Sequence, residues 1–214
     1  MGRKEKEGNL TPLTLLLLSS LLVFEIIAWD WWRHGPSTQW DVNLLRHTDL
    51  LVSLHPWGAQ FLSLAGILGR SFFLWTLIVC GGIFLARKKD WLALLFLLMA
   101  VVLGNLLVEP LQAWFQRPRP VPDLPGARGF SFPSGSAYFA AVVYGSLAYF
   151  TSRHTPGRGL KFALFGGALA AALLVGLSRL ALRLHWLTDV LGAYALAFSW
   201  LMFMVLVYQK IRQK

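Results

Sequence analysis

The chain has 214 residues, of which 56% are hydrophobic and only 14% are charged, and its mean hydropathy is +0.56. Soluble domains carry about 25% charged residues, so this composition excludes an ordinary soluble protein and indicates an integral membrane protein. The formal net charge of +10 would suggest nucleic-acid binding in a soluble protein. In a membrane protein it reflects topology, because cytoplasmic loops are rich in Lys and Arg, and no nucleic-acid partner is expected.

Apolar runs long enough to cross a bilayer recur along the chain. Six are apparent, at about residues 12–31, 61–86, 91–109, 135–152, 161–182 and 187–208. The first begins with Thr11-Pro12, a helix-start signal. It continues to Trp32 without a small-residue cleavage site, so we interpret it as a retained span rather than a signal peptide. The sequence therefore predicts an all-α integral membrane protein with six transmembrane helices, in one membrane domain covering residues 1–214.

The long connection after the first span contains a further helical pattern. Trp40, Leu44, Leu51 and Leu54 recur at near-helical spacing, and they alternate with the polar residues Asp41, Arg46 and Asp49. Such a pattern is typical of an amphipathic helix that lies in the membrane interface with its apolar face on the lipid. We therefore expect an interfacial amphipathic helix in the first outer loop.

Basic residues are distributed unevenly over the loops of this six-span scheme. Twelve of the 20 Lys and Arg fall at the two termini and in the second and fourth loops, against seven in the odd-numbered loops. Every lysine belongs to the first group. The positive-inside rule then places both termini in the cytoplasm, so that loops one, three and five meet on the outer face.

Loops three and five contain a group of polar residues suited to phosphate. Loop three includes LQAWFQRPRP (111–120) and FPSGSA (132–137), and loop five includes SRLALRLHWLTDV (178–190). Arginines can clamp phosphate oxygens bidentately, which we expect of Arg119 and Arg179. Ser134 and Gly135 would add backbone N–H donors at the start of the fourth span, where N–H groups lack helical partners. Carboxylates are too sparse for a divalent metal site and there is one cysteine, so no metal or other cofactor is expected.

His185 and Asp189 stand four residues apart, a spacing that places two side chains on the same face of a helix. A carboxylate in that position can hold one imidazole nitrogen protonated and leave the other as an exposed lone pair. A histidine prepared in this way is a nucleophile. It would attack phosphorus and form a phosphohistidine, which water then hydrolyses, while the arginines and helix N–H groups stabilise charge on the equatorial oxygens.

The order and spacing of these residues resemble the type 2 phosphatidic acid phosphatase superfamily, which includes bacterial lipid phosphatases. That family has three motifs, K-x6-R-P, P-S-G-H and S-R-x5-H-x3-D. In this chain they read Gln112-x6-Arg119-Pro120, Pro133-Ser134-Gly135-Ser136 and Ser178-Arg179-x5-His185-x3-Asp189. The resemblance covers about residues 100–200 and implies a membrane lipid phosphatase in a bacterial cytoplasmic membrane, with an outward-facing active site.

The resemblance also implies residue roles, and two positions depart from the pattern. In the family the lysine and the two arginines bind phosphate, the second-motif histidine protonates the leaving group, and the third-motif histidine is the nucleophile. Gln112 replaces that lysine and Ser136 replaces the acid. Serine is a far weaker acid, and loss of a general acid typically costs about 10²–10⁴-fold, so attenuated catalysis is expected. Arg117 is expected to restore part of the positive charge that Gln112 lacks.

The expected function is metal-independent hydrolysis of a membrane lipid phosphate through a phosphohistidine. A diphosphate ester expels a lipid monophosphate, which needs less proton assistance than an alkoxide. With Ser136 as the catalytic participant in place of the family's stronger acid, we therefore favour a polyprenyl diphosphate, such as undecaprenyl pyrophosphate, as the substrate. Two alternatives stay open. One is a degenerate family member that binds lipid phosphate headgroups without turnover, and the other is a lipid phosphotransferase in which another acceptor replaces water.

Overall fold

The computed structural model describes residues 10–35, 38–121 and 129–213, which form helices joined by short connections, with no β-strand among them. The helices are α1 (Leu10–His34), α2 (Gln39–Leu54), α3 (Pro56–Ala65), α4 (Ser71–Arg87), α5 (Trp91–Asn105), α6 (Val108–Phe115), α7 (Gly135–Ser152), α8 (Arg158–Ala181) and α9 (Leu187–Arg212). The predicted all-α class is confirmed for this part of the chain.

The helix α7 lies at the centre of the bundle. It packs on α4, α5, α8 and α9, and its Tyr138, Val142 and Val143 are completely buried. A Cβ atom on Gly145 would lie 2.6 Å from Leu201 Cδ1, so any larger residue there would require the Leu201 side chain of α9 to shift. A helix enclosed by other helices can carry small and polar residues, because it presents little surface to lipid.

Four segments are long and apolar enough to cross a membrane: Pro12–His34, Trp91–Phe115, Arg158–Ala181 and Leu187–Arg212. A fifth results if Gln60–Gly69 and Ser71–Arg87, which meet at an angle of 48°, form one broken span. The count covers the described residues only. The predicted span at 135–152 is α7, whose Ser, Gly and Tyr residues lower its hydropathy. Six spans therefore remain a prediction.

The predicted run 61–86 is interrupted where α8 approaches it. A 3-10 turn, Gly66–Gly69, separates α3 from α4. A Cβ atom on Gly66 would lie 2.6 Å from Ser178 Oγ and 2.7 Å from Arg179 Nη2. The backbone thus bends at a point where two motif residues of α8 need space and a hydrogen-bond acceptor.

A helix occupies the first outer loop, as expected, but its polar face is not uniformly turned to solvent. Trp40 is exposed, whereas Asp41 is 1% exposed and points into the protein. Asp41 therefore does not contribute to an exposed polar face, because a buried arginine pairs with it. The side chains of Asp49, Leu51 and Leu54 lie outside the described residues, and the interfacial position of α2 stays a prediction.

Loops one, three and five meet at one end of the bundle. Asp41 of α2 contacts Arg117 from the loop after α6, and Arg117 contacts Asp189 at the start of α9. The predicted convergence of the three odd-numbered loops is therefore present. The membrane face to which this end belongs remains a prediction, and the basic residues Arg3, Lys4, Lys6, Arg128 and Lys214 lie outside the described residues.

A cavity of about 620 Å³ opens between α1, α7, α8 and α9. Its lining is almost entirely apolar and includes Ile27, Leu169, Leu191 and Phe198. Leu191 is two residues beyond Asp189, so the cavity begins within one helical turn of the third motif. From there it continues along α9 to Val205, a distance of about 21 Å at 1.5 Å per helical residue.

Candidate active site

The loop that follows α6 is held together by backbone and hydroxyl hydrogen bonds. α6 ends at Gln116, whose left-handed conformation (φ 49°) turns the chain. Ser131 donates its backbone N–H to Arg117 O at 2.8 Å and its hydroxyl to Pro118 O at 3.0 Å. These bonds place the first motif beside the second.

His185 lies in the connection between α8 and α9 rather than within a helix. α9 begins at Leu187 with Trp186 as its N-cap, so the expectation that His185 and Asp189 share a helical turn was wrong. Asp189 Oδ2 accepts the backbone N–H of Trp186 at 2.9 Å, which satisfies a donor that the helix start leaves unpaired. The same oxygen lies 3.5 Å from His185 Nδ1.

The nearest partner of His185 Nδ1 is a backbone carbonyl. Nδ1 lies 2.9 Å from Ser131 O, and Nε2 lies 3.1 Å from Arg119 Nη1. A carbonyl oxygen only accepts and a guanidinium only donates. Nδ1 therefore carries the proton and Nε2 presents its lone pair, which is the tautomer that a nucleophile requires. Sequence reasoning missed Ser131, because a carbonyl acceptor has no residue signature.

The surroundings of His185 favour the neutral imidazole. The residue is 6% exposed, and burial lowers its pKa from the ordinary value of 6.5, with the positive charge of Arg119 acting in the same direction. Asp189 and the Ser131 carbonyl act in the opposite direction and only partly offset this effect. With a lowered pKa, the Nε2 lone pair stays available as the pH falls below 6.5.

We expect the rate at which diethyl pyrocarbonate modifies His185 to reveal this lowered pKa. The reagent acylates neutral imidazole, so the rate rises with pH through the pKa. The half-maximal pH, followed by mass spectrometry of the His185 peptide, should lie below that of N-acetylhistidine in the same buffers. Arg119→Gln should raise it, because a nearby positive charge disfavours imidazolium. A wild-type half-maximal pH above the reference would contradict the assignment.

The guanidinium of Arg119 joins loops three and five. Its Nη1 donates to Leu184 O at 2.8 Å, its Nε to Gly129 O at 3.1 Å and its Nη2 to Phe130 O at 3.2 Å. These three carbonyls help to hold the group in front of Nε2. A phosphate beside Nε2 would meet this cation directly, which is the geometry that the predicted role of Arg119 requires.

Arg179, in the last turn of α8, points towards the bend between α3 and α4. Its Nη2 donates to Gly66 O at 3.2 Å and lies 3.4 Å from Ser178 Oγ. Its Nε is buried and has no hydrogen-bond partner within the described part of the chain. A buried donor of this kind is costly without an acceptor, and a phosphate oxygen would supply one. The role of Arg179 in phosphate binding remains a prediction.

The second motif begins α7 and is joined by its backbone to the third. Ser134 is the N-cap of α7 and is completely buried. Its backbone N–H donates to Asp189 O at 3.1 Å, so the expectation that this N–H binds phosphate was wrong. Ser134 Oγ is buried without a partner among the described groups. Gly135 and the half-buried Ser136 follow in the first helical turn, where backbone N–H groups lack helical acceptors.

Gln112 lies on α6 beside the second motif. Its Nε2 donates to Pro133 O at 2.9 Å, and a Cβ atom on Gly135 would lie 3.8 Å from the same nitrogen. The amide therefore holds the loop that leads into α7. It has a second N–H, so the predicted contact with phosphate stays open as a proposal.

Arg117 is directed away from the position expected for it. The side chain is completely buried and pairs with two carboxylates, at 2.6 Å to Asp41 Oδ2 and at 2.7 Å to Asp189 Oδ1. Its Nη1 also donates to Thr188 Oγ1 at 2.7 Å. The expectation that Arg117 supplies the phosphate charge missing at Gln112 was therefore wrong, because its guanidinium fork is turned towards buried carboxylates.

The sequence profile of the PAP2 superfamily matches residues 93–213, which is more than half of the chain and includes all three motifs. The chain belongs to the PAP2 superfamily. The resemblance drawn from the motifs is thereby confirmed.

Similarities in sequence and in structure to Bacillus subtilis phosphatases agree with the PAP2 assignment. Phosphatidylglycerophosphatase B of strain 168 is 40% identical over 145 residues, which is 66% of this chain and 70% of that protein. The crystal structure of a transmembrane PAP2-type phosphatidylglycerolphosphate phosphatase from B. subtilis has a TM-score of 0.78 and 32% identity, covering 92% of this chain and 97% of that chain. These similarities support an integral protein of a bacterial membrane.

LpxE of Aquifex aeolicus shares the fold at greater distance. Its crystal structure has a TM-score of 0.60 and 24% identity, and the match covers 79% of this chain and 97% of that chain. At that identity the likeness concerns the fold alone.

Besides Ser131, the residues Asp41 and Thr188 contact the site and were not assigned to it from the sequence. Asp41 accepts hydrogen bonds from Thr188 N at 3.0 Å and Thr188 Oγ1 at 2.8 Å, in addition to Arg117. The available signal was the pair Thr38 and Asp41, which cap α2 through bonds between the Asp41 carboxylate and Thr38, and between Asp41 N and the Thr38 hydroxyl. That pattern indicates a helix start but not a tertiary partner.

The PAP2 site thus joins Arg119, His185 and Asp189 directly, with Gln112 of α6 and with Ser134 and Gly135 at the start of α7 beside them. Arg179 reaches the same end of the bundle from α8. Among the described residues, no group of three or more His, Cys, Asp or Glu is placed to hold a metal ion.

Proposed function

We propose that this PAP2 protein is a membrane lipid phosphatase in which His185 is the nucleophile. The observation that carries the proposal is the oriented imidazole, with Nδ1 at 2.9 Å from Ser131 O and Nε2 facing Arg119. The lone pair of Nε2 is thereby directed at the cationic group that is expected to bind the phosphate.

The reaction follows from this arrangement. The Nε2 lone pair attacks phosphorus, an N–P bond forms, and the P–O bond to the leaving group breaks with its electron pair on the departing oxygen. Arg119 and Arg179 balance charge on the phosphoryl oxygens. The imidazole becomes cationic, with its Nδ1 proton held by Ser131 and its charge opposed by Asp189. Water then attacks phosphorus, loses a proton to solvent, and restores the Nε2 lone pair as phosphate leaves.

A lipid substrate is supported by the apolar cavity that starts at Leu191, two residues beyond Asp189 on α9. We place the hydrocarbon chain of the substrate in this cavity and its phosphate at Nε2. The length along α9, about 21 Å at the helical rise, suits a long chain lying parallel to the helices. A water-soluble phosphate would leave the cavity unused.

A diphosphate headgroup is favoured because its cleavage releases a leaving group that needs little protonation. Ser136 stands where the family has its general acid, and a departing lipid monophosphate needs less protonation than an alkoxide. We therefore propose a polyprenyl diphosphate as substrate, with the site outward-facing, both termini cytoplasmic, and no metal required because arginines supply the positive charge.

The relatives favour a second candidate. The similar Bacillus subtilis protein and the similar crystal structure from that species are both named for phosphatidylglycerophosphate, which is a phosphate monoester. Cleavage of a monoester expels an alkoxide, and a proton would then have to come through Ser136 or water. Gln112 and Ser136 also keep open a degenerate member that binds headgroups without turnover.

Phosphate release from a lipid panel separates these candidates. Purified protein with EDTA should cleave a polyprenyl diphosphate faster than polyprenyl monophosphate, phosphatidylglycerophosphate or phosphatidic acid, and should cleave a short-chain diphosphate poorly. Faster cleavage of phosphatidylglycerophosphate would overturn the diphosphate preference and establish the second candidate. Release from no lipid, combined with headgroup binding, would support the binder. Adding glycerol as an acceptor reports phosphotransfer.

A further inference from the structure

Three acidic and basic side chains form a fully enclosed chain of ion pairs that leads from α2 to the third motif. Asp41, Arg117 and Asp189 each have side chains that are 0% exposed. Asp41 comes from the first outer loop and lies 76 residues from Arg117 in sequence, and Arg117 lies 72 residues from Asp189. Asp41 and Arg117 belong to none of the three PAP2 motifs.

The guanidinium of Arg117 uses its two terminal nitrogens for different partners. Nη2 donates to Asp41 Oδ2 at 2.6 Å, whereas Nη1 donates to Asp189 Oδ1 and to Thr188 Oγ1, both at 2.7 Å. Thr188 in turn donates its hydroxyl to Asp41 Oδ2 at 2.8 Å. The rigid fork of an arginine matches this requirement, and the point charge of a lysine does not.

The two oxygens of Asp189 therefore have separate tasks. Oδ1 is bound by Arg117, while Oδ2 accepts Trp186 N and faces His185 Nδ1. Rotation of the carboxylate would break the cap of α9 and move the negative charge relative to the imidazole. Arg117 prevents that rotation, and Asp41 prevents Arg117 from withdrawing.

We infer that Asp41 and Arg117 are positioning residues of the active site, which hold Asp189 in the orientation that caps α9 and faces His185. The inference rests on the proposed role of His185 as nucleophile. Neither residue touches the reacting phosphate, so both act through Asp189. The first outer loop thereby becomes part of the catalytic apparatus through a buried carboxylate of α2.

The charged groups around His185 make this inference measurable, because removing either of two of them should change the pKa of His185 in opposite directions. Arg119 and Asp189 lie directly beside the imidazole, Asp41 of α2 lines the same small pocket as His185, and Arg117 binds the other oxygen of Asp189. Arg179 and Arg183 lie near the end of α8. Removing the Asp41 charge leaves Arg117 to compensate Asp189 more fully, which lowers the pKa of His185. Removing the Arg117 charge exposes His185 to both carboxylates, which raises its pKa.

The test compares Asp41→Asn, Thr188→Val and Arg117→Gln with wild type. In each, kcat on the cleaved lipid should fall roughly tenfold or more, because misplacement of a reacting group by 1 Å can cost about 10²-fold, while KM changes little. Diethyl pyrocarbonate modification of His185 should reach its half-maximal rate at lower pH in Asp41→Asn and at higher pH in Arg117→Gln. Control variants are Asp30→Asn, whose carboxylate is half exposed and pairs with His34 on α1, and Thr76→Val, whose exposed hydroxyl bonds its own helix.

The outcomes of this test distinguish failure of the proposed function from failure of the positioning role. A wild-type protein without turnover contradicts the proposed function, but the opposite shifts in His185 modification would still show the positioning. Active Asp41→Asn and Thr188→Val proteins with unchanged kcat and unchanged half-maximal pH would overturn the positioning role. If Arg117→Gln fails to fold, Asp41→Asn and Thr188→Val carry the test, since both preserve shape and leave the guanidinium beside Asp189. A fall in melting temperature with kcat and half-maximal pH unchanged would show a merely structural contact.

Discussion

Replacement of His185 by alanine should abolish phosphate release, with a loss on the order of 10⁴-fold or more. The reason is that no other described nucleophile has its lone pair directed at the Arg119 guanidinium, and water alone would have to attack the phosphorus. In wild type, rapid acid-free quenching with a labelled substrate should trap a phosphoenzyme that is stable in base and labile in acid. The label should map to His185 and be absent from the variant.

The matched control for this replacement is His34→Ala. His34 is exposed near the end of α1, and its Nδ1 lies 2.9 Å from Asp30 Oδ1, so the variant removes an imidazole without touching the site. It should keep wild-type turnover and phosphoenzyme. Melting temperatures in detergent show whether each variant is folded. A folded His185→Ala protein that released phosphate near the wild-type rate would contradict a nucleophilic role.

The double replacement Gln112→Lys with Ser136→His should raise the cleavage of lipid monoesters by about 10²–10⁴-fold, the usual contribution of a positioned acid. Histidine at 136 can protonate an alkoxide as it leaves, and lysine at 112 adds a charge beside Gly135 while still able to donate to Pro133 O. Cleavage of a polyprenyl diphosphate should change much less, because its leaving group needs little protonation. Phosphate release from both substrate classes under identical conditions measures the difference.

The control for this prediction is Ser136→Ala. If the serine only fills its place in the first turn of α7, diphosphate cleavage should stay near wild type. A large loss would show that the hydroxyl takes part, through a hydrogen bond or a water relay. An equal gain on monoesters and diphosphates in the double variant would contradict the leaving-group argument for a diphosphate substrate.

The class of the protein and the identity of its main site residues could be predicted from sequence. The apolar runs follow from the length that a bilayer requires, and the motifs preserve residue types at spacings that chemistry demands. His185, Arg119 and Asp189 were therefore recognised before any geometry was known, and the structure brings these three together. Gln112 and Ser134 also lie near them. The contact of Gln112 with phosphate remains a prediction, whereas the backbone N–H of Ser134 is bound to Asp189 O.

Residue patterns were weaker guides to how these side chains are held. The interval between His185 and Asp189 suggested a helical turn, but α9 begins only at Leu187, and the carboxylate reaches the imidazole from the N-cap of the helix. The main acceptor for Nδ1 is the Ser131 carbonyl, a backbone atom that every residue type possesses. The local spacing therefore indicated correctly that His185 and Asp189 lie side by side, but it predicted wrongly that one helical turn joins them.

The sequence by itself determined the membrane class and the superfamily, and it singled out His185 as the proposed nucleophile, because each depends on residue identity at short range. Only the tertiary structure showed that Arg117 pairs with Asp41 and Asp189 instead of pointing towards the expected phosphate site. It also showed that the side chain of Asp41 points from the helix α2 into the protein. These pairings depend on burial, because a carboxylate or a guanidinium that is removed from water is strongly destabilising unless it is paired with an opposite charge. Partners 76 residues apart are chosen by the packing of the whole bundle, which no local pattern records.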